Sequence, residues 1–558
     1  MDCCNLKCLA DTRKKARFTA KYQHRGATNA KNLQRRAMAI EAAVGESAGI
    51  EQNLKQFLLV LSVSLSVATL PQIFSWFRQI PYTLLLVIAG LGLAFIDVRL
   101  VNLSPELILA IFLPPLLFEA AWNLKWSNLK RDFFPITLYA VVGVVISIIG
   151  VALGLNQVAG LPLSTALLIG ASLSATDPVS VTALFRELGV DKRLSTLMEG
   201  ESLFNDGMAV VAFGFLVALP LGTAKLGVQE VTLELISVVG IGLAVGGLIG
   251  FGISYLTQRF DLPLVEQSLT LVSAYGTYII AEEFGGSGVI GVVTCGLVLG
   301  NFGSRIGMNP RTRVIVSEFW EFVAFFVNSI VFLLIGDQIR FSNLADNLGI
   351  IGITIAGMVV SRLVSVYALG FFSNRVANSN ISLAEQTILW WGGLRGSVSI
   401  ALALSVPTIL GNEREDIIST VFGVVLFTLL VQGLTTKPLL KQLNLLGDQP
   451  LRQEYMQFVA RENALRRVLK YLEEVDDERP RVDPEFCRYQ EALIKGELKN
   501  IEEKIDILQI EHPNLRTFAR EQLRNELLAV EADTYAEFVR NGRLNQELAP
   551  MLQEVLEE

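Results

Sequence analysis

The chain has 558 residues, of which 51% are hydrophobic and 18% charged, with a mean hydropathy of +0.46. So small a charged share, against about 25% in soluble proteins, identifies a polytopic membrane protein with a soluble appendage. The formal net charge of −7 is unevenly distributed and carries no message by itself.

Absences narrow the class further. No GxxxxGK[ST] loop is present, which excludes a Walker site for ATP, and no TVGYG-type potassium filter occurs. Cys3, Cys4, Cys8, Cys295 and Cys487 have no metal-site spacing, so neither a bound cofactor nor a disulfide framework is expected. Histidine is limited to His24 and His512, both outside the apolar segments, so proton chemistry within the membrane falls to carboxylates.

The chain opens on a basic leader. Residues 1–37 carry ten Lys or Arg, opposed only by Asp2 and Asp11. They contain no apolar core of a signal peptide. Either the N-terminus stays inside and one helix is miscounted, or residues 1–37 are untranslated and the protein starts at Met38; the second is the expectation, with 1–53 an N-terminal extension.

Thirteen apolar segments follow, each about long enough for roughly 30 Å of hydrocarbon. They span 54–70, 82–96, 107–121, 134–155, 162–185, 197–219, 231–256, 265–281, 287–301, 315–336, 348–372, 387–406 and 417–437. Two, 107–121 and 287–301, are short. Alternate loops hold twelve basic residues (Arg78; Lys125, Lys130, Arg131; Arg186, Lys192, Arg193; Arg259; Arg305, Arg311, Arg313; Arg375). The intervening loops hold four, Arg99, Lys225, Arg340 and Arg414. The positive-inside rule makes the first set cytoplasmic, with the N-terminus outside and the C-terminus inside.

The third segment carries Glu119 near its inner end, and the tenth carries Glu318 and Glu321 early in its span. All three read as interfacial. The fifth segment contains Ser174-Ala175-Thr176-Asp177-Pro178. Pro178 removes a helix donor and disfavours helix at Asp177, so a break is expected at membrane depth. Unwound backbone is tolerated there only where it lines a cavity or is buried in protein.

The sixth segment opens Gly200-Glu-Ser-Leu-Phe-Asn-Asp-Gly207 before an apolar run. A charge at mid-bilayer costs roughly 2.5–3.5 kcal/mol on insertion scales, so Glu201 and Asp206 need a partner or a task. On a helix, Glu201, Ser202, Asn205 and Asp206 share an arc of roughly 140°, an oxygen-rich face suited to a small hard cation or a proton.

In the eleventh segment Arg362 reads as the structural partner of a buried carboxylate, Glu201, rather than as an ion ligand. The twelfth contains Gly392-Gly393-Leu394-Arg395-Gly396, a second interruption. With the seventh as a linker, segments 1–6 and 8–13 form two six-helix halves, and the interruptions fall at equivalent positions. That is the pattern of an inverted-repeat transporter with its site at the crossing.

After Gly447 the character changes. Residues 448–558 contain 25 acidic and 16 basic residues, with Leu498, Ile501, Ile505 and Leu508 at helical spacing. Three or four amphipathic helices are expected in a cytoplasmic tail (447–558) that either stabilises and dimerises the protein or regulates it.

Thr176-Asp177-Pro178, the 200–207 run and Gly392–Gly396, in this order, resemble the NhaP-type sodium/proton antiporters of the monovalent cation:proton antiporter-1 group, cyanobacterial in flavour. The resemblance covers 54–446. It implies an all-α fold, a homodimer in the lipid of the plasma membrane, and a core domain that moves against a dimerisation domain. It implies that Asp206 binds the transported Na+ or H+ and that Asp177 assists. The Thr176 backbone and Ser202 would complete the coordination, Asn205 would hold the site in shape, Glu201 would pair with Arg362, and Arg395 would compensate the broken-helix dipoles. With Asn where electrogenic relatives carry a second Asp, electroneutral one-for-one exchange in pH and sodium homeostasis is the expectation. A potassium/proton antiporter on the same scaffold, and a channel-like or signalling protein with the tail as effector, stay open. No nucleic-acid partner is expected.

Overall fold

The computed structural model describes residues 55–540 apart from 71–72, 75–79, 96–103, 106, 221–227, 260–261, 305–307, 340, 448 and 479–483. The basic leader and the expected start at Met38 lie outside the described residues. Among the described residues every regular element is helical.

In chain order the main helices are α1 (Lys55–Leu70), α2 (Tyr82–Phe95), α3 (Leu107–Asn123), α4 (Phe133–Val158), α5 (Leu163–Ser172), α6 (Val179–Leu188) and α7 (Lys192–Val217). Then come α8 (Val228–Thr257), α9 (Pro263–Glu283), α10 (Gly288–Gly303), α11 (Pro310–Asp337), α12 (Leu348–Val376), α13 (Leu383–Trp391), α14 (Ser397–Leu404) and α15 (Asn412–Gln442). The tail contributes α16 (Gln449–Glu478), α17 (Pro484–Glu511) and α18 (Asn514–Arg540).

Each apolar segment read from the sequence holds a helix or a pair of half-helices. Among the described residues six helices are long and apolar enough to cross a bilayer by themselves: α4, α7, α8, α11, α12 and α15. The fifth segment divides into α5 and α6, and the twelfth into α13 and α14. The sixth begins five residues earlier than its hydropathy suggests. Asp191 accepts the Arg193 N–H and so caps α7 at a polar edge that hydropathy does not register. Ser382 opens α13 with a capping box: its hydroxyl takes the Glu385 N–H, and the Glu385 carboxylate takes the Ser382 N–H at 2.7 Å.

The described residues fall into two compact units, one running to Phe185 and resuming at Asp191–Leu445, the other joining Arg186–Val190 with Leu446 onward. In the first, α2 packs on α11, α3 on α10 and α11, and α4 on α5 and α12. Lipid tails are as apolar as the side chains, so shelter from water does not drive helix association and close backbone packing does. At the α2–α11 crossing a Cβ on Gly90 would collide with the Leu333 carbonyl, and one on Gly336 with the Val87 carbonyl. Trp122 Nε1 donates to Ser317 Oγ at 3.0 Å and the Phe118 and Trp320 rings lie 4.4 Å apart, which fixes α3 to α11.

The second unit is a helical hairpin of α16 and α17 with the start of α18 across it. Tyr455, Ile501, Ile505 and Leu515 form its core, and Leu451, Phe458 and Leu508 pack around them. Arg466 bridges to Glu502 at 2.6 Å and Arg461 to Glu497 at 3.2 Å. In the same unit the Gly447 N–H donates to the Leu188 carbonyl at 3.1 Å.

The helix crossing yields a paired test. Gly336→Leu forces a side chain into the α2 backbone and is expected to destabilise the protein by about 1–3 kcal/mol or more. Gly92→Leu, at a position with nothing within 4 Å of an added Cβ, is expected to be neutral. Thermal unfolding in detergent compares the two.

Candidate ion site

The site is made by two interruptions that meet. Between α5 and α6 the backbone from Leu173 to Pro178 is unwound, and between α13 and α14 it is unwound from Gly392 to Gly396. The Asp177 N–H donates to the Leu394 carbonyl at 2.8 Å, stitching one extended stretch to the other. Two half-helix N-termini then converge on Asp177. Its Oδ1 accepts the Val179 N–H at 2.9 Å and caps α6. Gly396, the residue before α14, lies so close that a Cβ there would strike the Asp177 carboxylate. A carboxylate among helix N-termini is favourably placed against their partial positive charges.

The opposite, negative ends are met by arginines. Arg395 is fully buried, and its Nη1 donates to the Ser174 and Ala175 carbonyls at 3.2 and 3.0 Å, just beyond the end of α5. Arg362, from α12, donates to the Leu389 and Trp390 carbonyls at 2.8 and 3.2 Å, in the last turn of α13. The same guanidinium forms an ion pair with Glu201, Nη1 to Oε1 at 3.0 Å and Nη2 to Oε2 at 3.3 Å. Gly393 makes the room, because a Cβ there would overlap the Arg362 guanidinium.

From α7 three side chains reach the first interruption. Asn205 uses both ends of its amide: Oδ1 accepts the Thr176 N–H at 3.2 Å and Nδ2 donates to Thr176 Oγ1 at 2.6 Å. Ser202 donates its hydroxyl to the Thr176 carbonyl. Asp206 is buried, and its Oδ1 accepts no hydrogen bond from the described residues. An ionised oxygen left so in low dielectric is costly unless a proton or a cation meets it.

Thr176, Asp177, Ser202 and Asp206 all line one cavity of about 80 Å³, room for a few waters or a cation with part of its shell. Asn205, Glu201, Arg362 and Arg395 do not line it; they hold the walls. The cavity also touches Glu119 on α3, Glu199 on α7, Asn328 on α11 and Ser397 on α14. Glu119, read as interfacial, is half-buried, lines the cavity and accepts from Asn123 Nδ2 at 2.6 Å. The available signal was the shortness of its segment together with Pro114-Pro115, since short or broken spans mark transporter sites. Glu318 and Glu321 are exposed.

Residues 61–442 match the family model described as sodium/hydrogen exchanger, transmembrane. The chain belongs to that family. It is 63% identical over 520 residues to the Na(+)/H(+) antiporter ApNhaP of Aphanothece halophytica, covering 93% of this chain and 99% of that protein. It is 60% identical over 517 residues to the low-affinity Na(+)/H(+) antiporter NhaS1 of Synechocystis, covering 92% and 98%. The solved structure of MjNhaP1, a sodium proton antiporter from Methanocaldococcus jannaschii, superposes with a TM-score of 0.58 at 20% identity, covering 70% of this chain and 99% of that one. The fold is thus that of a multi-pass membrane antiporter.

The Glu201–Arg362 pair generates a double-mutant test. Removing one partner of a buried pair costs about 3–5 kcal/mol because the other charge is stranded. Arg362→Gln is expected to cost more than Glu201→Gln, since the arginine also serves two carbonyls of α13. The double variant is expected to recover part of the summed loss. Thermal unfolding of the four proteins checks this; strictly additive losses contradict a direct pair.

Proposed function

We propose that this protein is a sodium(lithium)/proton antiporter that trades one monovalent cation for one proton by alternating access. The observation that carries the reading is Asp206: a buried carboxylate oxygen without a protein donor, facing the same cavity as Asp177 at the convergence of two half-helix N-termini. Cation and proton compete there. Sodium binds the deprotonated site, with Asp206 as principal ligand, Asp177 assisting, and the Ser202 hydroxyl and Thr176 oxygens completing the shell. A proton on the carboxylate expels the cation. A site that crosses the membrane readily only when occupied couples the two flows, and the KM for sodium rises as pH falls.

Two relatives at 60% identity or more carry the name Na(+)/H(+) antiporter, which favours sodium over potassium as the cargo. The same reading places the protein in the plasma membrane as a homodimer, with a cytoplasmic C-terminal tail and a role in pH and sodium homeostasis under salt. The distribution of basic loop residues supports the orientation.

Asp206→Asn is expected to reduce sodium-driven proton flux in proteoliposomes to background while leaving the protein folded by size-exclusion chromatography. Asp177→Asn is expected to lose at least about tenfold, the scale of one charged contact. Undiminished flux in Asp206→Asn removes that residue from the mechanism.

Stoichiometry is read separately. With the membrane potential clamped at several values by valinomycin and potassium, exchange is expected to keep one rate and one end-point. An end-point that follows the imposed potential contradicts one-for-one exchange.

A further inference from the structure

We infer that Asn328 is a further cation-contacting residue, supplied from α11 rather than from α7 or the unwound backbone, that sets affinity and ion preference. The inference rests on the antiport reading above. Asn328 sits on α11, the helix fixed to α2 at Gly90 and Gly336 and to α3 through Trp122–Ser317 and Phe118–Trp320. Its side chain is 6% exposed and lines the same cavity as Asp177, Ser202 and Asp206. Its amide has no hydrogen bond among the described residues and, unlike Asp206 Oδ1, is not sealed off by protein, so it opens on the cavity, whereas the neighbouring groups are satisfied. Ser329 Oγ donates to the Phe325 carbonyl at 2.7 Å, and the Ser329 carbonyl accepts from Ser64 Oγ at 3.2 Å.

An amide that lines a cavity and is bonded to nothing else among the described residues is free to meet a ligand there. The ligand that the cavity selects is a cation. Four carboxylates line it, Glu119, Asp177, Glu199 and Asp206, and Asn328 adds a neutral carbonyl oxygen. A neutral oxygen suits a monovalent ion because it adds attraction without adding a proton site. The other proposed ligands come from α7 and from the unwound backbone. A contact from α11 adds a ligand from a separate helix, and the spacing between α11 and α7 can discriminate one ion radius from another.

The test uses the purified full chain. Sodium, lithium and potassium chloride are titrated against thermal unfolding, and KM and maximal rate are measured in proteoliposomes at two pH values. Asn328→Ala is expected to raise the sodium midpoint and KM about tenfold, the scale of one lost contact to a charged ligand, with the larger part of the effect on KM. It is also expected to change the sodium-to-lithium ratio. Asn328→Asp, which keeps the shape, is expected to bind sodium more tightly at high pH and to lose affinity more steeply on acidification than the parent.

Midpoints and KM values within twofold of the parent in both variants overturn the inference. If Asp206→Asn meanwhile abolishes cation-dependent stabilisation, the site reading stands without Asn328. If Asp206→Asn is stabilised by sodium like the parent, the site reading itself fails. Should Asn328→Ala not fold, the Asp variant alone decides: an unchanged sodium affinity and pH profile there overturns the inference.

Discussion

Four helix ends in the middle of a membrane are the constraint on which this structure depends. Each end leaves backbone groups without intrahelical partners, and hydrocarbon supplies none. The chain meets the demand by crossing its two interruptions, so that the ends fall into pairs of like sign. The N-termini of α6 and α14 share Asp177. The carbonyl ends of α5 and α13 are answered by Arg395 and Arg362 respectively. Either break alone would strand its polar groups; together they create a polar centre with fixed charges on both sides. The cavity lined by Asp206 is a consequence of that crossing.

The two arginines are therefore not interchangeable supports. Arg395 belongs to one interruption and reaches the other, so it ties the two extended stretches to each other. Arg362 comes from an unbroken helix and joins three elements at once: α12 by its backbone, α13 by its carbonyl contacts and α7 through Glu201. Seen this way, Glu201 keeps a needed cation from standing alone. It lies one residue from Ser202 in sequence yet faces away from the cavity, as the 100° step of a helix requires. The oxygen-rich face of α7 is thus split between two duties.

How much of this was legible in the sequence depends on whether a residue breaks a local rule. Asp177-Pro178, Glu201 and Asp206 in apolar surroundings, and Arg395 among glycines all contradict the segments that hold them, and such contradictions point to sites. The all-helical fold and the interruptions followed from the same hydropathy and proline rules. Other features break no rule. Asn328 is one amide in a long helix, and Glu119 sits near a segment end where carboxylates are common; only packing reveals that both line the cavity with Asp206. The start of α7 at Lys192 was hidden because a cap works through a polar side chain. The assignment of Arg362 to the end of α13 was equally hidden, because a contact 27 residues away is set by how two helices cross rather than by any spacing.

The charge count of the buried centre bears on what it can carry. At the crossing itself Asp177, Asp206 and Glu201 offer three negative charges when ionised against two positive ones on Arg362 and Arg395, and Glu119 and Glu199 on the cavity wall add to the negative excess. One bound sodium ion lowers that excess by one charge, and so does one proton. The cost of moving charge through low dielectric rises steeply with its magnitude, so both loaded forms are favoured for crossing over the empty one by the same electrostatic margin. Asn205 is what holds the count at this value. Its amide must both accept from the Thr176 N–H and donate to the Thr176 hydroxyl. A carboxylate could not donate, and would add one more negative charge to the centre. The shape of the unwound strand and the one-for-one reading of exchange thus lean on the same side chain.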